Sequence, residues 1–203
     1  MKQAIEKKGT NVSLKTNFLT KTAILSVIAY ILMLLDIPVF FFPGFLKIDL
    51  SDLPALLGAF ALGPAAGIII ELIKNVLHWI TATHTGGVGE LANFIVGCAL
   101  IIPAAFIYRK NKNKINAVIG MLTGIVAMSL VAAIANYYIL LPFYAKIMPL
   151  EAIIEMSAAA NAFITDIKTL ILYGIIPFNI FKGVIISVIT VLIYKKLSPI
   201  LHK

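Results

Sequence analysis

The chain has 203 residues, of which 61% are hydrophobic and 13% charged, with a formal charge of +8 and a mean hydropathy of +1.00. Soluble domains lie nearer half apolar and a quarter charged, so a soluble enzyme and a disordered chain are excluded. Cys98 is the single cysteine, which excludes an intrachain disulfide scaffold, and the basic residues flank apolar runs, a membrane signature rather than one for nucleic acid.

A helix needs about 20 mostly apolar residues to cross the hydrocarbon. Residues 1–17 read as a basic cytoplasmic segment, and Phe18 to Leu35 as the first span. A basic lead before an apolar core also describes a signal peptide, but the run ends at Leu35-Asp36-Ile37-Pro38 with no small-x-small site, so this is an uncleaved helix. Thr22, Ser26 and Ala29 form a strip of small residues on it. Such a strip suits close packing, either inside this bundle or against a partner subunit.

In Lys47-Ile48-Asp49-Leu50-Ser51-Asp52-Leu53-Pro54, Ser51 or Asp52 is predicted to cap the second helix, with Pro54 in its first turn. Lys47 and Asp49 alternate with apolar neighbours and face a pocket mouth in this reading. Leu53 to Thr81 is too short for two full spans and long for one. The Gly63-Pro64 step makes it either one kinked helix or a hairpin of two short ones. Within it, Glu71 and Lys74 are three apart and pair, while Lys74 and Asn75 are the weaker ligand candidates.

The run Thr83 to Phe94 joins the third and fourth helices outside and carries Gly86, Gly87 and Gly89, with Glu90 placed as a cap. The glycines serve either a simple hairpin turn or a close approach of backbone amides to a ligand. No Gly-Lys-Ser/Thr follows, so this is not a phosphate loop. Further spans run from Leu91 to Tyr108, Ile115 to Leu141 and Leu170 to Tyr194, and 197–203 form a tail. The long connection from Phe143 to Lys168 contains a short lid helix starting at Pro149-Leu150-Glu151.

Charge fixes the parity. The N-terminal segment (Lys2, Lys7, Lys8, Lys15 and Lys21 against Glu6), the loop Arg109, Lys110, Lys112 and Lys114, and the tail Lys195, Lys196 and Lys203 are strongly basic, whereas the other loops carry three lysines against seven acids. Basic loops stay cytoplasmic. Six spans, with the hairpin split at Gly63-Pro64, place all three clusters on one side; five would export one of them. The expected fold is therefore an all-α membrane protein, a single domain whose six-helix bundle covers 18–196, with both termini cytoplasmic. No internal repeat supports a transporter of inverted halves.

Polar side chains inside the bilayer cost on the order of 2.5–3.5 kcal/mol for a charge and need a reason. Asn136 lies toward the outer end of the fifth span, and Asn179 and Lys182 share one face in the outer half of the sixth. Either these are interhelical glue and a snorkelling lysine, or they converge on a ligand. His78, His84 and His202 have no metal spacing, and no Ser-His-Asp arrangement occurs. The chain reads as no enzyme, with no metal and no cofactor.

The segment Lys47-Ile-Asp-Leu-Ser-Asp-Leu-Pro-Ala-Leu-Leu-Gly58, the run Lys74-Asn75 to Gly86-Gly-Val-Gly-Glu-Leu-Ala-Asn93-Phe, and Asn179-Ile-Phe-Lys182 resemble the riboflavin-specific substrate-binding (S) component of energy-coupling factor (ECF) vitamin transporters. The resemblance covers about Leu19 to Tyr194. It implies a multi-pass protein of the bacterial cell membrane that captures riboflavin from outside with high affinity. Import is then driven by a transmembrane coupling protein and two cytoplasmic ATPases; this chain has no Walker motif of its own. By the same resemblance Thr22, Ser26 and Ala29 are the partner-docking strip, standing where an Ala-x-x-x-Ala pattern is commoner.

The resemblance also assigns Asn136, Asn179 and Lys182 to the uracil-like edge of isoalloxazine, where a carboxamide both accepts and donates and an ammonium serves a carbonyl or ring nitrogen. Lys47, Asp49 and the Gly86, Gly87, Gly89 and Glu90 loop would meet the ribityl chain. Alternatives remain: another vitamin or a flavin nucleotide as ligand, a secondary transporter coupled to protons through Glu71 or Asp166, or a scaffold without ligand.

Overall fold

The computed structural model describes residues 2–201, with side chains for 15–194; most of the basic segment 1–17 and all of the tail 197–203 lie outside the described side chains. The described residues are mostly helical. In order come α1 (Lys2–Met33), β1 (Ile37–Pro38), β2 (Lys47–Ile48), α2 (Asp52–Leu62), α3 (Pro64–Ala82), α4 (Val88–Lys110), α5 (Lys114–Ala135), a π turn (Asn136–Leu140), α6 (Leu141–Tyr144), α7 (Leu150–Ala158), α8 (Ile167–Leu170), a second π turn (Ile171–Ile175) and α9 (Ile176–Leu201).

Among the described residues five segments are long and apolar enough to cross a membrane: Lys15–Met33, Pro64–Ala82, Val88–Lys110, Lys114–Tyr144 and Ile167–Tyr194. The sixth expected span is only half present as helix. With 11 residues, α2 is about 16 Å long at ~1.5 Å per residue, near half of a ~30 Å hydrocarbon core. The chain breaks at Gly63-Pro64 into a hairpin. Gly63 has φ 114°, a left-handed conformation that suits glycine, and a Cβ there would lie 3.2 Å from the Arg109 guanidinium. The turn thus sits at the basic end of α4, on the cytoplasmic side by the positive-inside rule.

The other half of that span is loop. After α1 the chain forms a small antiparallel ladder, Ile37 opposite Ile48 and Pro38 opposite Lys47, then descends so that Asp49, Ser51 and Asp52 are buried inside the bundle. Aromatic contacts hold it there: Phe42 meets Phe178 edge-on at 5.4 Å, and Phe41 meets Phe181 at 5.8 Å. Parity is preserved because this loop covers the distance that helix does not.

One apolar core joins α1, α2, α4, α5 and α9 through Leu25, Leu56, Phe60, Leu100, Met128 and Ile186. Smaller contacts between Leu141, Ile153, Ile164 and Leu170 seat α7 over the outer end. The outward faces of α5 and α9 carry Leu122, Val126, Leu130, Val188 and Leu192 exposed, as lipid-facing surfaces do.

Thr22, Ser26 and Ala29, the expected docking strip, are taken up inside the bundle. All three are buried within the chain, on a helix packed against α2 and α3, and Ser26 Oγ donates to the Thr22 carbonyl at 2.8 Å. Small residues let any helix approach closely, and here the chain's own hairpin takes the space.

Candidate functional site

Five buried charges organise the middle of the bundle. Lys182 on α9 donates to Asp49 Oδ2 at 2.9 Å and lies 3.1 Å from Asp52 Oδ2. Lys74 on α3 donates to Asp52 Oδ1 and, at 2.8 Å, to Ser51 Oγ, and its Nζ is 2.9 Å from Glu71 Oε2. The side chains of Lys74, Asp52 and Glu71 have no exposed surface. Charges placed so deep require such pairing. Two expectations are sharpened by this. Glu71 and Lys74 pair as their spacing indicates, but Asp52 is not a helix cap: its carboxylate bridges two lysines. Ser51 holds the cap position without a side-chain cap bond, and its N–H donates to Asp49 Oδ1 at 2.8 Å.

Above this network opens a cleft of about 210 Å³, lined by the descending loop, α4, α5, its π turn and α9. Asn136, Asn179, Lys182, Lys47, Asp49 and Gly89 all line it. Asn136 Nδ2 donates to the Ala132 carbonyl and Asn179 Nδ2 to the Ile175 carbonyl, each at 2.8 Å. Each carboxamide therefore keeps its oxygen and a second N–H for a ligand. Both sit beside π turns, at Asn136–Leu140 and Ile171–Ile175, and the two turns touch. An inserted residue rotates the following helix face, and such turns recur at functional sites. Lys182 has two of its three donor directions on Asp49 and Asp52, leaving one.

Lys47 reaches the cleft wall while paired to Asp36 at 2.9 Å across the small ladder. The apolar walls are Phe45, Leu46, Val96, Met128, Leu140, Tyr144 and Phe178. A second, almost wholly apolar chamber of about 190 Å³ shares Phe45, Asn136 and Tyr144 and extends beneath α7.

The glycine loop is placed differently from expectation. Gly86 and Gly87 face a separate groove between α3 and α4, beside Trp79 and Leu91. Gly87 begins α4 with φ 97°, and a Cβ there would meet Trp79 Nε1 at 2.8 Å. Glu90 borders that groove too; His78 Nδ1 is 2.9 Å from its Oε1 and Thr85 Oγ1 donates to its Oε2 at 3.0 Å. The Glu90–His78 contact thus ties α4 to α3; of the loop residues expected at the ligand, Gly89 lines the cleft while Gly86, Gly87 and Glu90 line the separate groove.

Residues missed from the sequence include Asn93, Met128, Tyr144 and Phe178. The signal was present: Gly89, Asn93 and Val96 follow each other at four and three residues, and Met128, Ala132, Asn136 and Leu140 at four, each a single helix face. Of the acids considered for proton coupling, Glu71 is locked to Lys74, and Asp166 caps α8 in a reciprocal box with Thr169 at an exposed loop. Among the described residues no cluster of three or more His, Cys, Asp or Glu is arranged for a metal.

A helical membrane bundle whose buried polar groups converge on a cleft in its outer half belongs to the class of membrane-embedded binding proteins for small solutes. More specifically, the chain belongs to the family of substrate-specific components of ECF transporters, which matches residues 17–194. It is similar to the riboflavin transporter FmnP of Bacillus subtilis (strain 168), 38% identical over 188 residues that cover 92% of this chain and 94% of that one. It is 37% identical over 181 residues to the riboflavin transporter RibU of Staphylococcus aureus (strain TCH60), covering 89% and 90%. A solved structure described as the S component of a bacterial ECF transporter matches with a TM-score of 0.74 at 33% identity, covering 93% of this chain and 99% of that one. The protein is a transport component and not an enzyme.

Proposed function

We propose that the protein binds riboflavin at the outer face of the bacterial cell membrane and hands it to an ECF import complex made of a transmembrane coupling protein and two cytoplasmic ATPases. The observation that carries this reading is the convergence of Asn136, Asn179 and Lys182 on one cleft with aromatic and aliphatic walls, in a chain whose relatives are riboflavin transporters.

The chemistry agrees with the ligand. Isoalloxazine is a flat apolar tricycle with one N–H between two carbonyls along its polar edge. The free oxygen of either asparagine accepts from that N–H, its remaining amide proton donates to a carbonyl, and the third donor of Lys182 serves a second carbonyl or ring nitrogen. Phe45, Tyr144 and Phe178 supply faces and edges for the rings, and the ribityl hydroxyls extend toward Lys47 and Gly89. A ligand lacking the edge leaves buried polar groups unpaired at about 1–3 kcal/mol each, which discriminates among vitamins.

Detergent-purified protein is expected to carry flavin absorbance, since a tight ligand copurifies, and in a panel of riboflavin, flavin mononucleotide, thiamine and folate to prefer riboflavin. Colourless protein that takes up none of the panel refutes the reading; preference for the mononucleotide moves it to the flavin-nucleotide alternative.

A further inference from the structure

A second cleft lies at the opposite, cytoplasmic end of the bundle, between the α4–α5 connection and α9. It has a volume of about 410 Å³ and is lined by Lys112 and Lys114 at the rim, by Tyr108 and Tyr194, and by Phe60 and Thr190 deeper in. Its lining holds two ammonium groups and no carboxylate. The Tyr108 and Tyr194 hydroxyls are 3.0 Å apart and share one hydrogen bond, so one O–H proton between them is left to donate.

The cleft shares Met121, Val191 and Leu192 with a second groove that follows α5 and α9 toward the membrane centre, walled by Val118, Leu122, Ile125, Val184 and Val188. From Leu192 to Val184 this groove runs about 12 Å at ~1.5 Å per residue. Its lining is aliphatic except for Ser187, which is 8% exposed and whose Oγ is buried with no hydrogen-bond partner. Thr22 Oγ1 on α1 is likewise buried without a partner, whereas Ser129 Oγ donates to the Ile125 carbonyl and Thr190 Oγ1 to the Ile186 carbonyl, the usual helical arrangement.

We propose that this composite groove binds one anionic phospholipid of the cytoplasmic leaflet. Lys112, Lys114 and the tyrosine hydroxyl pair hold the phosphate, and an acyl chain lies along α5 and α9, past Ser187 about two helical turns deeper than Tyr194. The order of chemistries down the groove, cationic and then aliphatic, matches the order of groups along such a lipid. Free phosphate uses only the first of these, and a protein segment would need partners for its backbone in the aliphatic part. Basic pockets between spans on the cytoplasmic side are the kind of site that takes anionic headgroups.

The test is lipid titration of the detergent-purified full chain followed by native mass spectrometry, with short-tailed phosphatidylglycerol, phosphatidylcholine of the same tails, and inorganic phosphate. One phosphatidylglycerol is expected to bind saturably and at least about tenfold tighter than phosphatidylcholine, since each lysine near the headgroup is worth about fivefold. K112A/K114A, both exposed positions, removes the preference. V188W, on the open side of the aliphatic groove, weakens both lipids. Flavin quenching by these variants stays as in the parent chain, which shows them folded. Equal binding of the two lipids, a preference that survives K112A/K114A, lipid binding unaffected by V188W, or displacement of the lipid by equimolar inorganic phosphate overturns the proposal.

Discussion

Replacing Lys74 by Met tests whether the buried charges hold the hairpin and the descending loop together. The side chain is fully buried and its ammonium contacts Asp52, Glu71 and Ser51. With all five groups ionised, three carboxylates (Asp49, Asp52, Glu71) face two ammoniums (Lys74, Lys182), a net charge of −1. Lys74→Met keeps the volume but makes this −2 with no water to screen it. Removing one partner of a buried pair costs about 3–5 kcal/mol, roughly 6–20 °C of unfolding temperature for a chain of this size. Glu71→Gln in the same background returns the cluster to −1 and is expected to recover a large part of the loss. Glu71→Gln alone leaves it neutral, with stability equal to or above that of the parent. Thermal unfolding in detergent, followed by loss of the monodisperse peak, reads all three. Additive losses, with the double variant less stable than Lys74→Met, refute the charge argument, as does a Lys74→Met unfolding curve that superposes on the parent's.

Asn179→Ala and Lys182→Met should each weaken riboflavin binding at least about tenfold (~1.4 kcal/mol) in equilibrium dialysis; unchanged affinity removes that residue from the site. Gly124→Ala drives a Cβ into the Leu100 carbonyl oxygen, so α4 and α5 must separate at a cost of about 1–3 kcal/mol, and unfolding at the parent temperature would contradict that packing. The Asp166 carboxyl is held below its usual range because it accepts the Thr169 backbone N–H at 2.8 Å and the Thr169 hydroxyl at 3.0 Å. A carboxylate depressed in the folded state stabilises fully above its unfolded value of 3.8 and loses that contribution as pH falls through the folded one. The hydrogen-exchange protection factor of the Thr169 amide should therefore drop from about pH 4 downward, whereas in Asp166→Ala it is low and flat; protection insensitive to pH in the parent counts against the capping box.

Spans were legible because hydrocarbon thickness and loop charge constrain them without reference to packing. The break at Gly63-Pro64 and the parity of the basic loops required six crossings, and the hairpin sits where that argument put it. The shortness of α2 was legible, since a cap at Ser51 or Asp52 and a break at Gly63-Pro64 leave room for 11 residues; that the loop before it would descend into the bundle and bury Asp49 was not. Asp52 was misread for a related reason: an acid before a helix commonly caps it, and only the fold brings Lys74 and Lys182 beside it. The cleft was partly visible, as expensive polar residues in the outer halves of two spans. Its apolar walls were not, because in lipid both faces of a helix are hydrophobic and periodicity no longer separates inside from outside. Thr22, Ser26 and Ala29 show the same limit, for a strip of small residues does not state which helix approaches it.

The central claim is that the outer cleft holds a flavin. Titrating purified, ligand-stripped protein with riboflavin and following the vitamin's fluorescence tests it most directly. Saturable quenching at one vitamin per chain, displaced to at least about tenfold higher concentration by Lys182→Met or Asn179→Ala, is the expected result. Fluorescence that stays proportional to added riboflavin at every concentration would contradict the account.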